Sequence, residues 1–288
     1  MGIFDSFFGK GKSKGDPLEV VEVLPGLQLP RGIAEFWDQI ETTRLPSIKI
    51  EASPLENPIS RKSSFGCYPT IPRGFLYPRD SDGGFLFPLA QIHCSELPAL
   101  DGFPNSGYLQ FYIAVENSDV YGLDFDDQQS QANFRVLYFE EDSVQDPETN
   151  FDFLSGIIHS ISSPIAKPYS LTFNSQNDYL GLGEVRYNEN EKIISFIKEK
   201  YPNLEDQFDE ELWKKFSYSG HKMGGYAYFT QTDPREYKEG VKDFVLLFQM
   251  DTDQDIMWGD AGVGNFFIDY DDLLKKDFSK VLYNWDCC

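Results

Sequence analysis

Three aspartates at alternate positions, Asp251, Asp253 and Asp255, are the arrangement in this sequence that comes nearest to a metal site. Alternating carboxylates supply the oxygen ligands that a calcium loop uses. Two further positions decide against that loop. The sixth residue is Ile256 where the sharp turn needs glycine, and the twelfth is Gly262 where a bidentate glutamate belongs. An EF-hand is excluded. A looser oxygen site for a divalent metal, joined by Asp260, stays open beside the plainer reading of a solvated acidic turn between strands, which is favoured. No other cofactor is expected.

Nucleophilic chemistry needs a base on the same face as a serine or cysteine. The histidines are His93, His159 and His221, and the cysteines are Cys67, Cys94, Cys287 and Cys288. His93 and Cys94 are neighbours, so a strand sends them to opposite faces and they form no dyad. Gly11-Lys12-Ser13 resembles the end of a phosphate loop, but Ser6 stands where its first glycine should be and no strand precedes it. No catalytic residue is assigned.

Two glutamines carry more information. Gln91 and Gln249 interrupt the otherwise apolar runs FLFPLAQI and DFVLLFQM. A buried amide must find partners. One reading has them tie down the turns at Gly66 and Gly224; the other has them line a pocket with His93, which shares a strand face with Gln91. Trp258, in the turn IMWGDAGVG, is the aromatic residue that can either cap a ligand or pack over a hairpin end. Gln91, Gln249, His93 and Trp258 are therefore the candidate ligand-binding residues, with the structural reading of the glutamines favoured.

The elements that must position these residues form an internal repeat. Gly66 and Gly224, Tyr68 and Tyr226, and Gln91 and Gln249 all stand at one common offset. GYLQFYI (107–113) is echoed by GVGNFFI (262–268), and VLY returns at 281–283. Each motif is rich in β-formers and bounded by Gly, Asp or Asn, and the short connections argue for antiparallel pairing. Helical spacing appears at 31–43, 190–200 and 203–217, the last with Leu204, Phe208, Leu212 and Phe216 four residues apart. The fold class expected is α+β, with two pseudo-symmetric antiparallel β repeats forming a duplicated core and peripheral helices. Residues 1–30 are read as leader and linker, 31–150 as a helix plus the first repeat, 151–220 as a mainly helical connector and 221–288 as the second repeat.

Composition bounds the function. The 288 residues carry 25 Lys plus Arg against 47 Asp plus Glu, a net charge of −22. Binding nucleic acid by neutralising phosphates needs the opposite footprint. No apolar run is long enough for a transmembrane segment. The leader has no secretory h-region, so a cytoplasmic protein with reduced thiols is expected. Ile3, Phe4, Phe7 and Phe8 would share one helical face ahead of Lys10, Lys12 and Lys14, which allows weak peripheral membrane contact by residues 1–14.

GHKMGGYAYFTQTDPR, VLLFQMDTDQDIMWGDAGVGNFFI and DFSKVLYNWDCC resemble the carboxy-terminal half of the YwqG-like family of bacterial proteins. FGCYPTIPRGFLYP and GYLQFYIAVENSDVYGLDFDD are similar to its first half. The resemblance covers residues 45–288 and implies a bacterial, soluble α+β protein with a duplicated antiparallel core, and no reaction. The function expected is a non-catalytic binding module for a protein or small-molecule partner, a basic protein being favoured by the acidic surface. The competing expectation is a metal-dependent enzyme using the Asp251–Asp260 loop.

Overall fold

A computed structural model describes residues 15–116, 120–253 and 255–288, with the side chains of 187–189 outside the description. The leader 1–14 and Asp119 also lie outside the described residues. The chain opens with a hairpin of β1 (Val20–Leu24) and β2 (Leu27–Pro30), turning at Gly26 with φ +83°. Short helices α1 (Arg31–Ala34) and α2 (Trp37–Glu41) follow where one longer helix was expected over 31–43. Then come β3 (Leu45–Pro54), β4 (Ser64–Phe65), β5 (Phe87–His93), β6 (Tyr108–Ile113) and β7 (Phe134–Phe139). The second part holds β8 (Tyr169–Asp178), α3 (Tyr187–Lys200), α4 (Glu205–Phe216), β9 (Lys222–Gly224), β10 (Val245–Asp251), β11 (Val263–Ile268), α5 (Tyr270–Lys275) and β12 (Leu282–Asp286).

Ten strands form one antiparallel sheet in the order β12-β11-β10-β9-β3-β8-β4-β5-β6-β7. The long strands β3 and β8 lie side by side at its centre, in register from Leu45 opposite Asp178 to Pro54 opposite Tyr169. Each is bonded on its other side to the neighbour of the other. β3 takes β9, and β8 takes β4. The stretch 151–220, expected to be mainly helical, thus also supplies a central strand. Its alternation of Tyr169, Leu171 and Phe173 with polar residues satisfies a strand only once a partner is present.

The two flanks of the sheet fold onto each other. Phe65 and Phe111 from one flank meet Phe248 at ring-centroid distances of 5.8 and 4.7 Å, and Phe134 meets Tyr283 at 5.1 Å. Removing such rings from water contributes roughly 1.5–3 kcal/mol each. The gap between edge strands β7 and β12 is bridged by the segment 120–131, which makes the sheet nearly closed. Tyr283 N–H donates to the Gln128 carbonyl at 2.9 Å, and Trp285 Nε1 to that of Val120 at 2.6 Å. The Gln131 amide ties β7 to the loop ahead of β12, accepting from Val136 N–H at 2.9 Å and donating to the Phe278 carbonyl at 2.6 Å.

Helices α1–α4 and the β1–β2 hairpin share a second core of Leu29, Ile33, Phe36, Ile40, Ile194, Ile197, Phe208, Leu212 and Phe216. α4 buries Phe208, Leu212 and Phe216 of the predicted stripe, while Leu204 is partly buried in the turn just before the helix; acidic residues stand in its first turn and Lys214 and Lys215 in its last, as the helix dipole favours. Among the described residues no helix is long and apolar enough to cross a membrane.

Candidate functional site

The glutamines sit on the outer face of the sheet, and their amides are fully engaged. Gln91 Oε1 accepts the Thr70 N–H at 2.6 Å, and its Nε2 donates to the Lys62 carbonyl at 3.1 Å. Gln249 Oε1 accepts the Tyr228 N–H at 2.8 Å, and its Nε2 donates to the Gly220 carbonyl at 2.7 Å. The neighbouring strand completes each clamp: Gln110 Nε2 donates to the Thr70 carbonyl at 2.7 Å, and Asn265 Nδ2 to that of Tyr228 at 2.9 Å. Gln91 is 3% and Gln249 0% exposed, so both hold backbone rather than face an open cavity.

His93 lies on that face at the end of β5, stacked on Tyr108 at 4.5 Å. Its Nε2 is 3.0 Å from both Ser95 Oγ and Glu141 Oε2. A relay needs the base to face serine with one ring nitrogen and carboxylate with the other. Here both partners share one nitrogen, so the trio cannot act as a triad. His221 is buried, accepts the Asp251 N–H on Nδ1 at 3.1 Å, and burial lowers its pKa to about 4. The buried thiols of Cys67 and Cys94 are pushed up to about 11 and about 12 by burial, the opposite of what a nucleophile requires.

The four aspartates are dispersed. Asp251 is buried at the end of β10, where its carboxylate accepts the N–H groups of Gly220 and Thr252 at 2.6 and 2.8 Å. Asp253 Oδ2 is 3.9 Å from His221 Nε2, Asp255 pairs with Lys167 at 2.6 Å, and Asp260 is exposed. Among the described residues no group of three or more His, Cys, Asp or Glu is gathered as a metal would need. Trp258 is fully buried within the main core. A Cβ on Gly264 would lie 2.6 Å from its ring, so that glycine makes its berth, and Tyr121 covers it edge-on at 5.3 Å.

Two buried ionic groups were not foreseen. Lys222 of β9 is ion-paired with Asp178 of β8 and donates to the Tyr226 carbonyl at 2.9 Å. Asp178 also accepts from Ser47 Oγ at 2.8 Å and the Tyr226 N–H at 3.0 Å. Burial lowers the Lys222 pKa, against the pull of Asp178. Arg235, 1% exposed, bonds Asp233, Glu184 at 2.7 Å and the Phe244 carbonyl at 2.7 Å, and lies 4.2 Å over the Phe267 ring. Every charge here is paired and enclosed, as a structural ion must be. The only sequence signals were Lys222 inside the repeated glycine motif and the acid–base spacing of Asp233 and Arg235.

A cleft opens beside the β4–β5–β6 flank. About 570 Å³ in volume, it runs between residues 59–61 and 146–152, floored by Tyr68, Pro69 and Thr70. Tyr68 stacks on Phe151 at 5.2 Å with planes 7° apart. Arg73 makes a bidentate pair with Asp146 at 2.8 Å, which lowers the Asp146 pKa, and Glu148 is lowered by the N–H groups of Asn150, Thr149 and Gly74. Both carboxylates are thus held ionised, which suits neither a proton donor nor an efficient base at neutral pH. Arg61 is exposed on the rim with no ion-pair partner among the described residues. Thr70 is the residue clamped by Gln91 and Gln110, so the glutamines position the cleft floor without lining it.

No curated protein matches the chain. Residues 63–287, from the strand that carries Ser64 to the end of the sheet, match the model described as Domain of unknown function (DUF1963), and the chain belongs to that family.

Proposed function

We propose that the chain is a binding module whose small-molecule ligand enters the cleft beside Tyr68, held by an anionic group on Arg61 and an apolar or planar body along the Tyr68–Phe151 stack. The cleft itself carries this reading. Its volume lies in the range of small-ligand sites, and the Tyr68–Phe151 stack gives it a planar apolar wall near the Arg61 side chain. A non-catalytic role is supported by the raised thiols, the shared nitrogen of His93 and the ionised state of Asp146 and Glu148. A second reading, a basic protein partner, is favoured by the net charge of −22. The metal-dependent enzyme draws no support from the dispersed aspartates; elemental analysis of the purified protein separates it from a binding module.

The narrower kinship with YwqG-like proteins, the cytoplasmic setting and the duplication belong to the same proposal. The equivalent glutamine clamps support duplication. So do the register shifts, which fall between Pro88 and Ala90 in one flank and between Leu246 and Phe248 in the other.

Benzoate and phenyl phosphate serve as probes of the cleft. Titration followed by NMR should shift the Tyr68 and Phe151 ring signals, and Arg61→Ala should weaken binding about tenfold or more without changing the melting temperature. Unmoved ring signals with both probes would overturn the small-ligand reading.

A further inference from the structure

Another cleft, of about 340 Å³, lies at the seam where the edge strand β7 faces the loop ahead of β12. Arg135, Leu137 and Tyr138 of β7 line one side, and Lys276, Phe278 and Ser279 line the other. We infer that this cleft binds a small organic carboxylate, its charged end on Arg135 and its apolar body against Leu137 and Phe278.

Arg135 is the cation of the seam that nothing answers. Among the described residues its guanidinium makes no ion pair and no hydrogen bond, and its Nε is enclosed without an acceptor. A charge that has lost part of its water without gaining a partner is costly, and an anion relieves it. Nη1 and Nη2 are not enclosed in this way, so they can take a carboxylate end-on in two parallel bonds. The other cation of the cleft is already matched. Lys276, left-handed at the end of α5 with φ +57°, bonds Glu140 at 2.8 Å and the Tyr138 hydroxyl at 3.1 Å. The charge balance selects a monoanion. Lys276 holds Glu140 ionised, and Ser279 holds Asp277 ionised through its hydroxyl and N–H. A phosphate dianion would bring a second negative charge near both, whereas one carboxylate matches the one free guanidinium. The spacing of the walls is set beforehand, because the Gln131 amide bonds both Val136 and Phe278. A ligand reaching from Arg135 to Phe278 therefore ties the two flanks across the gap that strand pairing leaves open.

Hexanoate is the probe and inorganic phosphate its control, each added to the full chain. Hexanoate should shift the Arg135 Nε–H signal in NMR and raise the melting temperature, as a ligand of the folded state does. Arg135→Gln should weaken its binding about tenfold or more, and Arg135→Lys should keep part of it, since the charge stays and the fork is lost. Arg61→Ala should leave it unchanged, which separates this site from the Tyr68 cleft. Hexanoate that leaves the Arg135 signal unmoved, or that binds Arg135→Gln as tightly as the wild type, would overturn the inference. An equal loss in Arg61→Ala would overturn it by assigning the binding to the Tyr68 cleft. Phosphate that binds at Arg135 more tightly than hexanoate would overturn it in favour of a phosphoryl group.

Discussion

The flank β8-β4-β5-β6-β7 and the flank β3-β9-β10-β11-β12 meet one difficulty, a polar amide in a buried strand, with equivalent bonds to equivalent backbone groups. They part at the residue opposite the glutamine. Ser64 faces Gln91, whereas Lys222 faces Gln249. A serine at that position is nearly neutral to the strands around it. A lysine there demands a buried counter-ion, and Asp178, Ser47 and the Tyr226 backbone are gathered to meet the demand. The lysine flank consequently holds a buried ion pair, and the serine flank holds none at the matching place.

The sharpest way to break this contrast is to remove one partner of the buried pair. Lys222→Met leaves Asp178 charged and enclosed, and should cost about 3–5 kcal/mol in denaturant unfolding. Ser64→Ala should cost less than about 1 kcal/mol. Equal losses would show that the two positions bear equal strain.

Acid offers the next contrast, because His221 occupies the place that Ser63 holds in the other flank, each accepting a strand N–H. His221 is kept neutral by burial, so it adds stability above its ordinary pKa of 6.5, and this is lost as pH falls toward about 4. The loss amounts to about 3 kcal/mol at most. Asp251, whose pKa burial raises, acts in the opposite sense. The wild type minus His221→Gln difference in unfolding free energy isolates the histidine, and it should shrink steadily from pH 7 to pH 4. A flat difference would show that the ring titrates alike in the folded and unfolded chain.

The clamps themselves should behave alike. Gln91→Leu and Gln249→Leu should each destabilise by about 1–3 kcal/mol, within about 1 kcal/mol of each other, since each strands backbone groups. Thermal melts that leave either mutant at the wild-type temperature would remove the shared-clamp account. The smallest effect distinguishes the flanks again. Tyr112 donates to Gln110 Oε1 at 2.6 Å, but Phe267 stands at the matching place beside Asn265, whose Oδ1 is buried without a partner. Tyr112→Phe recreates that arrangement and should cost about 1 kcal/mol.

Much of this was legible in the residues. An amide interrupting FLFPLAQI and again DFVLLFQM is conspicuous against apolar neighbours, and the four-residue stripe of α4 repeats without interruption. β3 and β8 were not legible, because LPSIKIEASP and YSLTFNSQND mix exposed and buried positions irregularly; their strand character comes from pairing with each other. The Lys222–Asp178 pair was hidden for the same reason, its partners being brought together only by that pairing. The burial of Trp258 was not legible because the space beside Gly264, and the arrival of Tyr121, depend on contacts far along the chain. The cleft was missed altogether. Its walls come from two irregular segments with no periodicity to read.

The exchange of β3 and β8 sets a schedule for biosynthesis. Ser47 on β3 and Asp178 at the end of β8 are 131 residues apart, so on the order of 10 s of translation separates the two strands at typical rates. Through that interval β3 has emerged with no neighbour on either edge, since β9 appears later still. Its sequence carries the guards such an edge needs: Pro46 and Pro54 at its ends, and the exposed Lys49 and Glu51, which pair with each other at 3.0 Å. A nascent chain stalled before residue 169 holds β4 to β7 but lacks both neighbours of β3.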